Sequence, residues 1–508
     1  MTQNSLINLS GKSLIIQADA GPSIGVGHVM RCLALAQEWI HCGGSAILIG
    51  RIEGKSLLER IKDFGLKHIS FSADSSTDSV ISAVLDYAQK TVTGSWIVLD
   101  NYSLTTGHQK QIWKNFPRLL VIDDYHHINE YCAGMILNQN IGAENISYKT
   151  NEETRILAGT SYAMLRDEFR NDTSHSLDEQ KTRIIITMGG ADAGNVTLST
   201  LRAIEALKRP DLKVSAILGP ANPHVKSITE FVDNSSLDVD VLVDVKNMSS
   251  QISKSDLAIT AGGSSCWEMC AMSVPMIVIV TAENQKELSN GLAKADAAIN
   301  LGNADELKES TVSETIKKLL DAPARMKLLA ESAKKLIDGN GVQRIISAMQ
   351  EAVILRPATY EDRDQIFEWI NDPETRKWSY NQAPIKPEEH DAWFTSRLAD
   401  EEFIYLIAEN GSGQNIGQIR FENIGKNYEA HVLVSKNCRG KGAGAKLIRS
   451  ASLRLIKEKE PKQIIAKAKE DNIASIKSFQ KAGYIITGKI AVNGSESVVM
   501  KFTGMPEE

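Results

Sequence analysis

Three glycine-containing turns hold most of the residue types that could do chemistry in the first 350 positions. In the first, Gly25-Val26-Gly27-His28 joins an apolar run to an amphipathic one. Glycine lets backbone approach a ligand closely, and a helix start offers unpaired N–H groups and partial positive charge. His28 would stand at that mouth, where an imidazole with a pKa near neutrality could take a proton from water. The same residues would equally make a capping turn with a surface histidine. In the second turn, Gly262, Gly263, Ser264 and Ser265 open a segment in which Glu268 could accept both hydroxyls of a ribose. The alternative there is a tight turn with Glu268 facing the helix dipole. The third turn is Met188-Gly189-Gly190-Ala191-Asp192. Near the C-terminus, Val434 leads into Arg439-Gly440-Lys441-Gly442-Ala443-Gly444, whose successive amides could wrap a pyrophosphate. A basic, glycine-rich surface turn would look the same. Downstream, Asn472 could cap a helix, with Tyr484 twelve residues later.

These turns work together only if strands and helices bring them to one edge. Ser13–Ile16, Ala46–Ile49, Trp96–Leu99 and Leu119–Ile122 read as strands, and His28–Ile40 as a helix. Continuous Val/Ile/Leu runs are what a parallel sheet covered on both faces requires. A polar stretch from Arg170 to Lys181 reads as a linker, and a second α/β run follows with strands at Ile184–Thr187, Val214–Leu218, Val239–Leu242, Leu257–Ile259 and Met276–Val280. The expected fold class is α/β, with two doubly wound Rossmann-type domains (1–170 and 182–345) and a cleft between them. A shorter α+β domain, 353–503, opens with Leu355-Arg356-Pro357-Ala358. Its strands at Phe403–Ala408, Ile416–Phe421, Glu429–Val434 and Gln463–Ala468 are expected as consecutive hairpins before a helix-rich stretch.

Composition narrows the function. A net charge of −6 provides no global basic field for nucleic acid or anionic membrane, so any phosphate must be held locally. The six cysteines (Cys32, Cys42, Cys132, Cys266, Cys270, Cys438) form no CxxC pair and read as reduced thiols. Met1–Lys12 lacks a signal pattern, and no apolar run approaches the roughly 18 residues of a membrane helix, so a soluble, cytoplasmic protein is expected. The first turn lacks the third glycine of a dinucleotide fingerprint, which disfavours nicotinamide chemistry. No HxH or HExxH spacing occurs and His126-His127 is adjacent, so no metal is expected.

Beyond these readings, the first 340 or so residues resemble the UDP-2,4-diacetamido-2,4,6-trideoxy-β-L-altropyranose hydrolases of pseudaminic acid biosynthesis. Those enzymes have the two-domain GT-B fold of MurG-like glycosyltransferases. The resemblance rests on ordered blocks in both halves: Gly25 to Cys32, Val98 to Tyr102, Val121 to Asp124, Leu137 to Asn140, Tyr162 to Phe169, Met188 to Asp192, Ala261 to Glu268 and Ala282 to Gln285. It implies hydrolysis with inversion, releasing UDP and free sugar, with His28 as the base. Tyr102, Asn284 and Gln285 would lie near the ligand, Glu268 would take the ribose, and Asp192 belongs to a matched loop. Asn101 stands where the family carries histidine, and Ala133 where it tends to carry aspartate.

Residues 353 to 502 resemble the GNAT acetyltransferases. Arg439 to Gly444 match the acyl-CoA pyrophosphate loop, Asn472 the cofactor-contacting asparagine, and Tyr484 the tyrosine that protonates the leaving thiolate. Glu422 and His431 are candidates for the base, which stays unassigned. The implied partners are acetyl-CoA and a UDP-linked 4-amino sugar, acetylated and then hydrolysed. Open alternatives are a true glycosyltransferase, a UDP-sugar 2-epimerase, a silent nucleotide-sugar-binding module, and, for the C-terminal part, a protein N-terminal acetyltransferase.

Overall fold

The computed structural model describes residues 7–21, 24–151, 153–171 and 181–504. It divides into two compact units, Met1–Ser347 and Ala348–Glu508. Most of the expected linker, and the first half of Met1–Lys12, lie outside the described residues.

The first unit contains two parallel sheets. One comprises β1 (Ser13–Ala18), β2 (Ser45–Arg51), β3 (Lys67–Phe71), β4 (Trp96–Asp100), β5 (Leu119–Ile122), β6 (Met135–Asn138) and β7 (Arg155–Ala158). Its order is β3-β2-β1-β4-β5-β6-β7. The other comprises β8 (Thr182–Thr187), β9 (Leu212–Leu218), β10 (Asp238–Val243), β11 (Leu257–Ala261), β12 (Met276–Val280) and β13 (Ala298–Asn303), ordered β10-β9-β8-β11-β12-β13. The apolar runs have a direct cause: Ile15 pairs with Ile47 on one side and Ile97 on the other, and all three are buried. In the first sheet the order reverses between β1 and β4, in the second between β8 and β11. A crevice opens at the carboxyl ends of the strands flanking such a reversal. The turns after β1, β4, β8 and β11 are thereby the ones set to form a site.

The helix Gly27–His41 buries Val29, Cys32, Leu33, Ala36 and Trp39 at helical spacing. Arg31 is buried with them, which a packing helix does not require. Cys266 and Cys270 pack in the core of the second sheet.

The second unit has one mixed sheet of β14 (Ile354–Pro357), β15 (Ile404–Glu409), β16 (Asn415–Asn423), β17 (Asn427–Val434), β18 (Gln463–Lys469), β19 (Tyr484–Val492) and β20 (Ser495–Phe502). The order is β14-β15-β16-β17-β18-β20-β19. The hairpin expectation holds for β15 to β17 and fails for β18. The helix Ala443–Lys459 intervenes and returns the chain, so β18 pairs parallel to β17. Helices also precede the hairpins, at Arg363–Asn371, Pro373–Trp378 and Pro387–Leu398. Among the described residues no helix is long and apolar enough to cross a membrane.

Candidate functional site

The three glycine turns of the first unit converge. A Cβ on Gly27 would stand 3.8 Å from Ser264 Oγ, and one on Gly190 would stand 3.9 Å from a Val26 methyl. Between them lies a cleft of about 350 Å³. Gly25, Gly27, His28, Tyr102, Gly189, Gly190, Gly262, Gly263, Ser264, Ser265, Glu268, Asn284 and Gln285 all line it. Asp192 does not. Its two carboxylate oxygens accept from Val196 N (2.8 Å) and Thr197 N (3.0 Å), so it caps the helix Val196–Glu205 and acts on the cleft only through that helix. Asn101 also faces elsewhere: its amide donates to Asp19 (2.6 Å) and its carbonyl accepts from Ser103 N.

Around the cleft, two close approaches are tight enough to dictate glycine. At Gly262 a Cβ would fall 2.2 Å from Ser289 Oγ, and its N–H is held by Gln285 Oε1 at 3.2 Å. At Gly219, after β9, a Cβ would fall 2.1 Å from the carbonyl oxygen of Gly190. Gln285 thus braces the β11 turn, since the same oxygen also accepts from Thr281 N.

The cleft wall around His28 contains a hydrogen-bonded charge cluster. His28 Nδ1 lies 2.6 Å from Asp100 Oδ1. Arg31 grips Asp100 through Nε (2.7 Å) and Nη2 (2.6 Å), and Asp124 through Nη1 (2.7 Å) and Nη2 (2.8 Å). Tyr102 donates its hydroxyl to Asp124, and its ring meets His28 edge-on at 4.7 Å. Burial acts to raise the Asp100 pKa, but Arg31 and His28 outweigh it and hold the carboxyl well below the usual range. An ionised Asp100 accepts only, which makes His28 Nδ1 the donor of this bond. Burial, reinforced by Asp124, pushes the Tyr102 phenol up, keeping it a neutral donor.

Further along the cleft, Arg166 contacts Glu268 at 3.1 Å, and burial raises the Glu268 pKa against that pull. Arg60, on the helix Lys55–Asp63, reaches Asp244 (3.3 Å) and the Val245 carbonyl (2.9 Å), while Ser56 donates to Asp244. Arg31, Asp124, Asn140 and Arg166 fall within the matched sequence blocks without a role of their own there, and Arg60 and Asp244 fall outside them. An arginine among the apolar positions of its helix is a sequence signal for Arg31 alone, not for the distant carboxylates it binds. Among the described residues, Glu38, His41 and Asp167 form one group able to hold a metal, but Arg170 already pairs with both carboxylates at 2.8 Å and the group does not line the cleft.

In the second unit, Gly440 (φ +74°) and Gly442 (φ +78°) adopt left-handed backbone with open space where a Cβ would sit. Gly442 caps the helix beginning at Ala443, and Gly444 packs near Val434 and Ser478. Arg439 turns inward, to the Val434 carbonyl (3.0 Å), Thr375 Oγ1 (2.9 Å) and Asp372 (3.0 Å). Lys441 is exposed and bonds the Asn437 carbonyl. Asn472 caps the helix Ile473–Lys481 by accepting from Ser475 N at 3.1 Å. Tyr484 is fully buried between Phe479 and Phe502, its hydroxyl 2.8 Å from Ser452 Oγ. Burial pushes that phenol up as well. On β17, burial, with Arg420 and Lys467, pushes His431 down to about 3, which leaves it a weak base 3.7 Å from Glu422.

Residues 183–349 match the glycosyltransferase family 28 C-terminal domain, and residues 352–485 match the acetyltransferase (GNAT) domain. Fold and matches together describe a chain that joins a glycosyltransferase-28-like domain to an acetyltransferase (GNAT) domain. Among its relatives, an uncharacterized protein of Methanocaldococcus jannaschii is 24% identical over 492 residues, covering 94% of this chain and 97% of that protein. The UDP-2,4-diacetamido-2,4,6-trideoxy-beta-L-altropyranose hydrolase of Campylobacter jejuni is 24% identical over 285 residues, 55% of this chain and 96% of that protein. A solved aminoglycoside acetyltransferase, in complex with coenzyme A and kanamycin, aligns over 29% of this chain and 93% of its own at 24% identity and a TM-score of 0.27.

Proposed function

We propose that the first unit hydrolyses a UDP-linked diacetamido sugar and that the second N-acetylates its UDP-linked 4-amino precursor with acetyl-CoA. The sugar is assigned as 2,4-diacetamido-2,4,6-trideoxy-L-altrose, by likeness to the Campylobacter relative. One observation carries the hydrolase reading: His28 lines the cleft with Nδ1 bound to Asp100, so Nε2 is the basic nitrogen. In the reaction, a water oxygen bonds the anomeric carbon while the bond to the diphosphate oxygen breaks. UDP leaves with that electron pair, and His28 takes the water's proton and later returns it to solvent. The amides of Gly262 to Ser265 and Gly189-Gly190 receive the diphosphate, and Glu268 receives the ribose.

The open left-handed amides at Gly440 and Gly442 fit a pyrophosphate, which supports acetyl-CoA as co-substrate of the second unit. When bound, acetyl-CoA supplies an activated acetyl thioester. Arg439, committed to Asp372, shapes the loop from behind.

UDP release from the purified UDP-4-amino sugar, with and without acetyl-CoA, tests the whole reading. Release only with acetyl-CoA, together with free CoA, is expected. Absence of both products would remove the substrate assignment. For the hydrolase alone, His28→Ala is expected to abolish turnover of the diacetamido substrate while UDP still binds; unchanged turnover would refute the base.

A further inference from the structure

We propose that Asp124 and Asp100, coupled through Arg31, are positioning residues that tune His28, the cluster carrying one excess negative charge that protonation of His28 neutralises. This rests on the hydrolytic reading above. The geometry is a closed chain: His28 to Asp100 at 2.6 Å, Arg31 bidentate to Asp100, and Arg31 again bidentate to Asp124. All the groups around Asp124 are donors: Arg31, the Tyr102 hydroxyl and the Asn140 amide at 3.3 Å. That is the environment of a carboxylate, which only accepts.

One guanidinium therefore faces two carboxylates; Arg31 and Asp100 are buried and Asp124 is partly so. Elsewhere along the cleft Arg60 pairs with Asp244, and Arg166 divides between Glu268 (3.1 Å) and Glu168 (2.7 Å), so neither cation is left to offset the cluster. The Cys32 thiol, 3.4 Å from Asp100, is pushed up by burial and stays neutral. The excess charge by His28 is thus uncompensated until the imidazole takes the water's proton, which is when a general base needs stabilisation. Asp100 fixes the tautomer directly. Asp124 never touches the imidazole and acts by charge and by holding Arg31.

The test is the pH dependence of kcat and kcat/KM for UDP-sugar hydrolysis by the full chain, comparing wild type, Asp100→Asn, Asp124→Asn and His28→Gln. Asp100→Asn is expected to lower kcat by roughly 10²–10⁴-fold, the range of a misdirected general base. Asp124→Asn removes a negative charge, disfavours the imidazolium, and is expected to move the acid limb down by about one pH unit. UDP titration calorimetry verifies that each variant still folds its cleft. Should an Asn variant lose UDP binding, the corresponding Glu variant is measured, and partial restoration of the wild-type limb is expected. A wild-type acid limb in Asp124→Asn, or wild-type kcat in Asp100→Asn, overturns the proposal while an inactive His28→Gln leaves the hydrolytic reading intact. An active His28→Gln overturns both.

Discussion

Gly219→Ala and Gly263→Ala form a matched pair that separates packing from ligand contact. At Gly219 the new Cβ would meet three backbone atoms of Gly190, at 2.1, 2.6 and 2.7 Å. Backbone cannot swing away as a side-chain tip can, so the turn after β8 must retreat by about 1 Å to restore van der Waals distance. Overpacking of this kind costs about 1–3 kcal/mol. At about 2–4 °C per kcal/mol for a domain of 150–250 residues, the melting temperature should fall by roughly 2–12 °C. Gly263 has open space at its Cβ position and no positive φ, so alanine there leaves stability unchanged or raises it by about 0.4–1 kcal/mol. Both residues line the cleft, and Gly219 also packs directly on Gly190. Scanning calorimetry with and without UDP, together with UDP titration, reads both quantities. Both variants should bind UDP more weakly, and only Gly219→Ala should melt early. If the two melt together, or Gly219→Ala binds UDP normally, the close approach does not set the turn.

Three further outcomes follow from the geometry. Glu268→Gln should weaken UDP binding roughly 10- to 150-fold while sparing uracil binding, because a charged acceptor contributes about 1.5–3 kcal/mol; equal losses for both ligands would put the carboxylate elsewhere. Tyr484→Phe should cost about 1 kcal/mol through the lost Ser452 bond and leave acetyl transfer within a few-fold of wild type, since the hydroxyl is sealed in the core; a hundredfold loss of kcat with CoA binding intact would restore it as the acid. Asp123 accepts from His127 (2.8 Å), Tyr131 (2.7 Å) and Tyr148 (2.8 Å), and against the upward push of burial these hold its pKa down to about 2. Its ordinary value is about 3.9, so its stabilisation, about 2–3 kcal/mol, is fully present above that pH and lost as pH falls through 2; Asp123→Asn should flatten acid unfolding across that window.

What could be read from the chain depended on how local the cause was. Strands buried on both faces, such as β1 and β12, betray themselves as unbroken Val/Ile/Leu runs. Edge strands do not: β3 is the half-exposed Lys67–Phe71, and β19 shows almost its whole length to solvent. The misplaced hairpin at β18 has the same root, since its alternating pattern suits either a parallel or an antiparallel neighbour. Glycine turns were legible because the strand, glycine and helix are consecutive. The Arg31 cluster was not, because its carboxylates arrive from 69 and 93 residues away. Asp192 was placed in the right loop for a different reason: both its oxygens serve a helix start four and five residues on.

The bond from Arg60 and Ser56 to Asp244 has a kinetic meaning as well. It joins the helix after β2 to the end of β10, strands of two different sheets, across the mouth of the cleft that both sheets line. Should the two halves part to release a ligand, that motion would break a charge-assisted link. Strengthening the link would lengthen the residence of UDP and slow the cycle; weakening it would hasten exit and loosen the grip on substrate. On the proposed hydrolysis, the tightness of this clasp would throttle turnover without altering any group placed at the anomeric carbon.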